Sequence, residues 1–191
     1  HDLEHADRFR ETELGNLFAD ILRDQLGVDI AFIASGSIRK TKLTQLVTRS
    51  DLMEVYPYDE AMISFSVNGA TLEQMIRYLM QTLYQGGSRE FYQWNADLRA
   101  EVTQDGEIAK ITMKGSPIDL EMEYRIAMQD YHFGIIAETF GITHEELSKR
   151  GRIRTVSTSA QDNVIEYFRK NKISPYRRDG RIHLARPLKD R

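Results

Sequence analysis

Cysteine is absent from all 191 residues. That excludes disulfide staples, thiol nucleophiles and thiolate metal sites, and it leaves the compartment open. No stretch approaches the roughly 18 uninterrupted apolar residues of a membrane span, so none is expected. Linkers rich in proline, serine or glycine, low-complexity segments and internal repeats are also missing, which favours a single domain. The chain opens on His1 with neither Met nor a signal peptide, and so it is expected to be a fragment or a processed form.

Signatures of catalysis are equally scarce. His1 and His5 stand four apart and imitate a helical metal pair, but a fraying chain end more often carries no ion. His144-Glu145-Glu146 lacks the second histidine of a zinc-protease helix, and His132 and His183 are isolated. There is no G-x-S-x-G elbow and no phosphate-binding P-loop. The residues alone offer no engine for hydrolysis, and no metal or cofactor site is expected in this chain.

What is present is the composition of a globular domain, 41% hydrophobic and 29% charged. A net charge of −3 is not that of a polycation built to coat nucleic acid. The charge is uneven. Residues 149–191 hold 13 of the 26 Lys and Arg against four acids, a balance of +9, and residues 1–148 balance at −12. Such a region is either a solvated basic tail or a surface for an anionic partner or acidic domain. KRGRIR and YRRDGR within it have no interleaved aromatics, so nucleic-acid binding is not expected.

Periodicity outlines the elements. Leu14, Leu17, Phe18, Ile21, Leu22 and Leu26 form one face of a helix that Thr12 can cap and Gly27 can end. Residues 30–34 are a continuous apolar run, the pattern of a strand buried on both faces. A short helix is expected within 50–58, ending before Pro57, and a strand over 61–67. A second amphipathic helix is expected over 70–84. Residues 98–103 and 107–113 flank Asp105-Gly106 as a hairpin. A strand over 124–130, a helix over 132–140, two short helices capped by Thr143 and Ser159, and a last strand near RIHLA complete the reading. Irregular alternation with hairpins predicts an α+β fold with a mixed β-sheet and packed helices.

Binding features are better represented. Ser35, Gly36 and Ser37 carry no large side chain, so their backbone N–H groups could approach a ligand. Arg39 follows at once and Arg8 precedes the first helix, and both are planar donors suited to phosphate or carboxylate. Tyr58 and Tyr131 sit at loop edges, where two facing rings could sandwich a base. Taken singly, each arginine is more often a surface ion pair and each tyrosine a half-buried core residue.

Five blocks in order, RFRETELGNLFADIL, DIAFIASGSIR, DLMEVYPYDE, SFSVNGATLEQMI and KGSPIDLEMEYRIAMQDY, together resemble the C-terminal domain of the 5′-nucleotidase and UDP-sugar hydrolase family, in the branch found in Gram-positive bacteria. The resemblance implies a single substrate-binding domain over 1–191 with its core at about 8–184. It implies a separate N-terminal metallophosphoesterase domain that carries two divalent metals, zinc or manganese, and the catalytic pair. Arg8 and Arg39 would then hold the phosphate end of a nucleotide or nucleotide sugar. Tyr58 and Tyr131 would take the places of two phenylalanines around the base, and Ser35–Ser37 would replace a Gly-rich loop. Gly15-Asn16 would permit tight packing behind the site. An extracellular or wall-attached location is implied as well.

The sequence departs from that family at three places. Ala34 stands where an Asn is usual, and Asp59-Glu60 where Gly-Asn is usual. His132-Phe133-Gly134 replaces the segment whose Asp binds ribose, which leaves Glu138 as the candidate substitute. A competing reading is a non-enzymatic module that uses the basic 149–191 region on anionic wall polymer or membrane surfaces.

Overall fold

The structure, a computed structural model, describes residues 2–44, 46–87, 90–171 and 176–188. A two-residue strand, β1 (Leu3–Glu4), precedes α1 (Glu13–Leu26). Thr12 caps α1 by accepting the Gly15 N–H, and Gly27 ends it at φ 61°. β2 (Ile30–Ala34), a single 3-10 turn at Ser35–Ser37, β3 (Lys42–Leu43) and α2 (Arg49–Val55) follow. Thr48 and Asp51 close a capping box at the start of α2. β4 (Met62–Asn68) runs into α3 (Gly69–Gln85), and β5 (Tyr92–Trp94) follows. β6 (Leu98–Val102), β7 (Ile108–Met113) and β8 (Ser116–Pro117) form a meander before β9 (Glu123–Gln129). α4 (Asp130–Gly134), α5 (Ile136–Phe140), α6 (His144–Arg150), β10 (Arg154–Ser157), α7 (Ala160–Lys170) and β11 (Ile182–Leu184) complete the chain.

The main sheet has the order β10-β4-β9-β2-β5. β2 and β9 are parallel neighbours, and the other pairings are antiparallel, so the sheet is mixed. The continuous apolar run of β2 has its reason here. Ile30, Phe32 and Ala34 face one core with α3, α5 and Trp94, while Ala31 and Ile33 face a second core with α1, α2 and α7. A central strand covered on both faces needs apolar side chains on both. The smaller sheet, β11-β6-β7-β8, closes over α3 and extends the first core. This is an α+β fold with a mixed sheet and packed helices.

The expected helix over 132–140 is broken. α4 ends at Gly134, and Ile135 stands at φ −103°, ψ 18° before α5 begins. A glycine beside a β-branched residue weakens a helix at this point. The break lets Phe133 pack on Phe65 while Phe140 turns to Phe32. β1, β3, β5, β8 and β10 are also absent from the sequence reading, because two to four residues are too few for a period to emerge.

The basic C-terminal region is partly an internal structure. Arg181 is buried, with its Nη1 and Nη2 on the two carboxylate oxygens of Asp20 at 2.8 and 2.7 Å and its Nε on Asp179 at 2.9 Å. Its Nη1 also donates to the Trp94 carbonyl at 3.1 Å. Through this one guanidinium the C-terminal strand is fastened to α1 and β5. Arg169 and Lys170 pair with Glu166, Lys149 pairs with Glu145, and Arg186 lies 4.8 Å from the Tyr84 ring centroid. Truncating one partner of a buried pair strands the other charge, so Arg181→Met should lower stability by about 3 kcal/mol in urea unfolding. A loss under about 1 kcal/mol would contradict the role given to this pair.

Candidate functional site

Strand direction gathers the site. β2 and β9 are parallel, and β4 and β5 run against them, so the ends of β2 and β9 and the starts of β4 and β5 lie at one edge of the sheet. From that edge come Ser35–Arg39 after β2, Tyr58–Glu60 before β4, Glu90 before β5, and Tyr131-His132 after β9. Arg8, from the segment ahead of α1, completes the ring. A crevice beyond the carboxyl ends of parallel strands is where α/β sheets commonly bind ligands. Here the walls enclose a cleft of about 280 Å³.

Of the residues singled out from sequence, Arg8, Gly36, Ser37, Arg39, Tyr58 and Tyr131 line this cleft. Tyr58 is 44% exposed and Tyr131 62%, so both rings offer a face to solvent. Ser35 is placed differently. It is fully buried behind the cleft, with its N–H on the Phe91 carbonyl and its hydroxyl accepting from Gln93. Its role is to shape the turn. Glu138 is not among the lining residues, and the carboxylates that are present belong to Glu60 and Glu90. His1 lies outside the described residues. His5 is committed to the interior, where its Nε2–H donates to the Ser35 carbonyl and its Nδ1 accepts from the Thr12 hydroxyl. Among the described residues no group of three or more His, Asp or Glu is placed to hold a metal ion.

The two arginines depend on a buried amide. Gln93 Nε2 donates to the Arg10 carbonyl at 2.9 Å and to Ser35 Oγ at 2.8 Å, and Gln93 Oε1 accepts the Thr12 N–H at 3.2 Å. One side chain thus joins the Arg8-bearing segment to the turn that leads into Arg39. Gly15 makes room for it, since a Cβ there would stand 2.6 Å from Gln93 Oε1 and closer still to Cγ. This accounts for a glycine in the first turn of an otherwise strong helix.

A second clamp joins the backbone segments that carry the two tyrosines. Gln129 Nε2 donates to the Tyr58 carbonyl at 3.2 Å, and Glu60 Oε2 accepts the Tyr131 N–H at 3.2 Å. The Asp130 N–H donates to the Ala61 carbonyl at 2.9 Å. The backbone of each tyrosine is therefore held by a residue two positions from the other, although the two are 73 positions apart in the sequence. Behind them His132 bridges the Tyr92 hydroxyl at 2.9 Å and Ser37 Oγ at 3.2 Å. Its ring meets the Tyr131 ring edge-on at 5.2 Å between centroids.

Charge in the cleft is balanced rather than uniformly positive. Arg8 and Arg39 face Glu60 and Glu90. Arg8 Nη2 is 4.0 Å from Glu90 Oε2, and Arg39 Nη1 donates to the Gly36 carbonyl at 3.3 Å. Burial pushes the Glu90 carboxyl up, against the pull of the Gly36 N–H and of both guanidiniums. Burial holds His132 down to about 4, so it is neutral at physiological pH. Sequence reasoning missed Glu90 and Gln93 altogether, and it noted Glu60 and His132, close to Tyr58 and Tyr131, only as departures from the family pattern and not as members of the site.

The His132 shift has a stability consequence. An unfolded imidazole titrates near 6.5 and the folded one at about 4, so between these values the unfolded chain binds the extra proton. The contribution of this group is intact above about pH 6.5 and is lost as pH falls toward about 4. Burial shifts His5 in the same direction. Urea unfolding at pH 7 and pH 4.5 should show a smaller acid loss in His132→Gln than in the unaltered protein. Equal losses would mean that His132 is not held neutral.

A family model described as 5′-nucleotidase, C-terminal domain, matches residues 2–137. Protein UshA of Escherichia coli is 24% identical over 125 residues, which are 65% of this chain and 22% of UshA. Endonuclease YhcR of Bacillus subtilis is 22% identical over 179 residues, 92% of this chain and 14% of that protein. The crystal structure of a 5′-nucleotidase precursor from Thermus thermophilus superposes with a TM-score of 0.76 at 23% identity, covering 96% of this chain and 38% of that one. The chain therefore spans well under half the length of each of these proteins, and the structural likeness concerns the fold.

Proposed function

This chain belongs to the family of 5′-nucleotidase C-terminal domains, and from that premise we propose that its cleft holds a nucleoside phosphate for hydrolysis by a catalytic domain outside these 191 residues. The observation that carries the reading is the convergence of two guanidiniums and two tyrosine rings, from four separate segments, on one cleft. In this reading Arg8 and Arg39 grip the phosphoryl group as charge-assisted donors. Tyr58 and Tyr131 stack on the base, and the backbone clamp through Glu60 and Gln129 holds the two segments that carry them together before the ligand arrives. The hydrolytic metals, two zinc or manganese ions, would belong to the other domain, and this domain would bind without cleaving. Extracellular or wall-attached action is part of the same proposal.

A second reading is suggested by one further feature. The cleft shares Arg8 and Arg39 with an adjoining groove of about 550 Å³ that also carries Arg10 and Lys40. Such a groove suits a phosphate beyond the first, and YhcR, similar over 92% of this chain, is named an endonuclease. A short oligonucleotide that binds more tightly than the mononucleotide would favour a polynucleotide ligand.

Calorimetry with nucleoside 5′-monophosphates tests the main reading. Saturable binding is expected, weakened at least about tenfold by Arg39→Ala. Tyr131→Ala should cost about 1–3 kcal/mol, and Tyr131→Phe should cost little because the ring remains. Flat traces with every nucleotide tried would contradict the proposal. Salt-sensitive binding to an anionic wall polymer that survives Arg39→Ala would point instead to a non-enzymatic module.

A further inference from the structure

The backbone N–H of Gly36, between the two arginines, already has an acceptor. Glu90 Oε1 takes it at 2.7 Å, and Glu90 Oε2 stands 4.0 Å from Arg8 Nη2. Arg39 approaches the same glycine from its carbonyl side at 3.3 Å. The fit is close enough that a Cβ on Gly36 would stand 2.6 Å from Glu90 Oε2 and closer still to Arg8 Nη2. A backbone N–H flanked by two guanidiniums is an arrangement for an oxyanion, and an oxyanion is what it holds.

We propose that Gly36 N–H, Arg8 and Arg39 form an anion slot whose occupant here is the chain's own Glu90 carboxylate, and that the anionic group of a ligand binds by taking its place. Three features make the exchange feasible. The Glu90 side chain is 23% exposed, so it has a route to water. It reaches Arg8 only at ion-pair distance, whereas a tetrahedral phosphoryl group can present oxygens to several donors at once. A phosphoryl dianion also brings more charge to two guanidiniums than a carboxylate does. Glu90 thus acts as an internal competitor that keeps the slot shaped and sets how strongly an anion must bind to enter it. The assignment rests on the cleft being the ligand site, but not on the ligand being a nucleotide.

Inorganic phosphate is therefore the probe, titrated into the 191-residue chain and followed by ¹⁵N–¹H correlation spectra. Glu90→Gln keeps the shape and removes the charge. It should bind phosphate about five- to tenfold more tightly than the unaltered protein, with the Gly36 amide among the signals that move. Glu90→Ala, a second variant in case the first folds poorly, should change in the same direction. Equal or weaker phosphate binding in both variants would overturn the proposal, and so would tighter binding that leaves Gly36 unmoved. If phosphate behaves as expected and nucleoside monophosphates bind neither form, the nucleotide assignment fails while the slot stands.

Discussion

The geometry of the cleft depends on the side-chain amide of Gln93. It is fully buried, and it ties together two segments that no regular element joins: the stretch from Arg8 to Thr12 that leads into α1, through the Arg10 carbonyl and the Thr12 N–H, and the turn after β2, through the Ser35 hydroxyl. A buried amide left without partners is costly, so the two segments and the amide hold one another in place. Gly15 is the price of admission on the helix side, and the His5 ring seals the same junction between Thr12 and Ser35. Arg8 and Arg39 are exposed surface residues, yet each extends from backbone that this network restrains. That restraint lets two flexible cations act as one site.

Sheet topology does the rest. A parallel pair flanked by antiparallel strands brings two strand ends and two strand starts to one edge. Ligand-facing residues are thus collected without any long loop. The resulting cleft has mixed character, with aromatic faces, two guanidiniums, two carboxylates and a neutral imidazole. A surface built only to attract polyanions would not set Glu60 and Glu90 among its cations. The Glu60 carboxylate holds backbone beside Tyr131 and the Glu90 carboxylate holds Gly36, so both acids order the site from within.

Much of the architecture is legible in the sequence. α1 and α3 announce themselves by a 3.6-residue apolar period, and β2 by an unbroken apolar run. The ordered blocks around Arg8, Arg39, Tyr58 and Tyr131 pointed to one family, and those four side chains do meet in space. What stayed hidden has a common physical cause. β5 is three residues long, and its decisive member, Gln93, is a polar residue in a buried place whose partners lie 58 to 83 positions away. Glu90 likewise earns its place only through contact with Gly36, 54 residues distant. The 132–140 segment reads as one helix because local propensity cannot show that Phe133 and Phe140 are wanted by different parts of the core.

The basic C-terminal region illustrates the same limit. Its local surplus of charge suggested an outward-facing surface, yet Arg181 is an interior fastener for α1 and β5. The central claim remains the joint use of two arginines and two tyrosines on a single ligand. A crystal structure of this chain grown with a nucleoside 5′-monophosphate addresses it most directly. The account predicts the base between the Tyr58 and Tyr131 rings and the phosphoryl oxygens within hydrogen-bonding distance of Arg8 and Arg39. A nucleotide seated elsewhere, or one touching the arginines with its base clear of both rings, would contradict it.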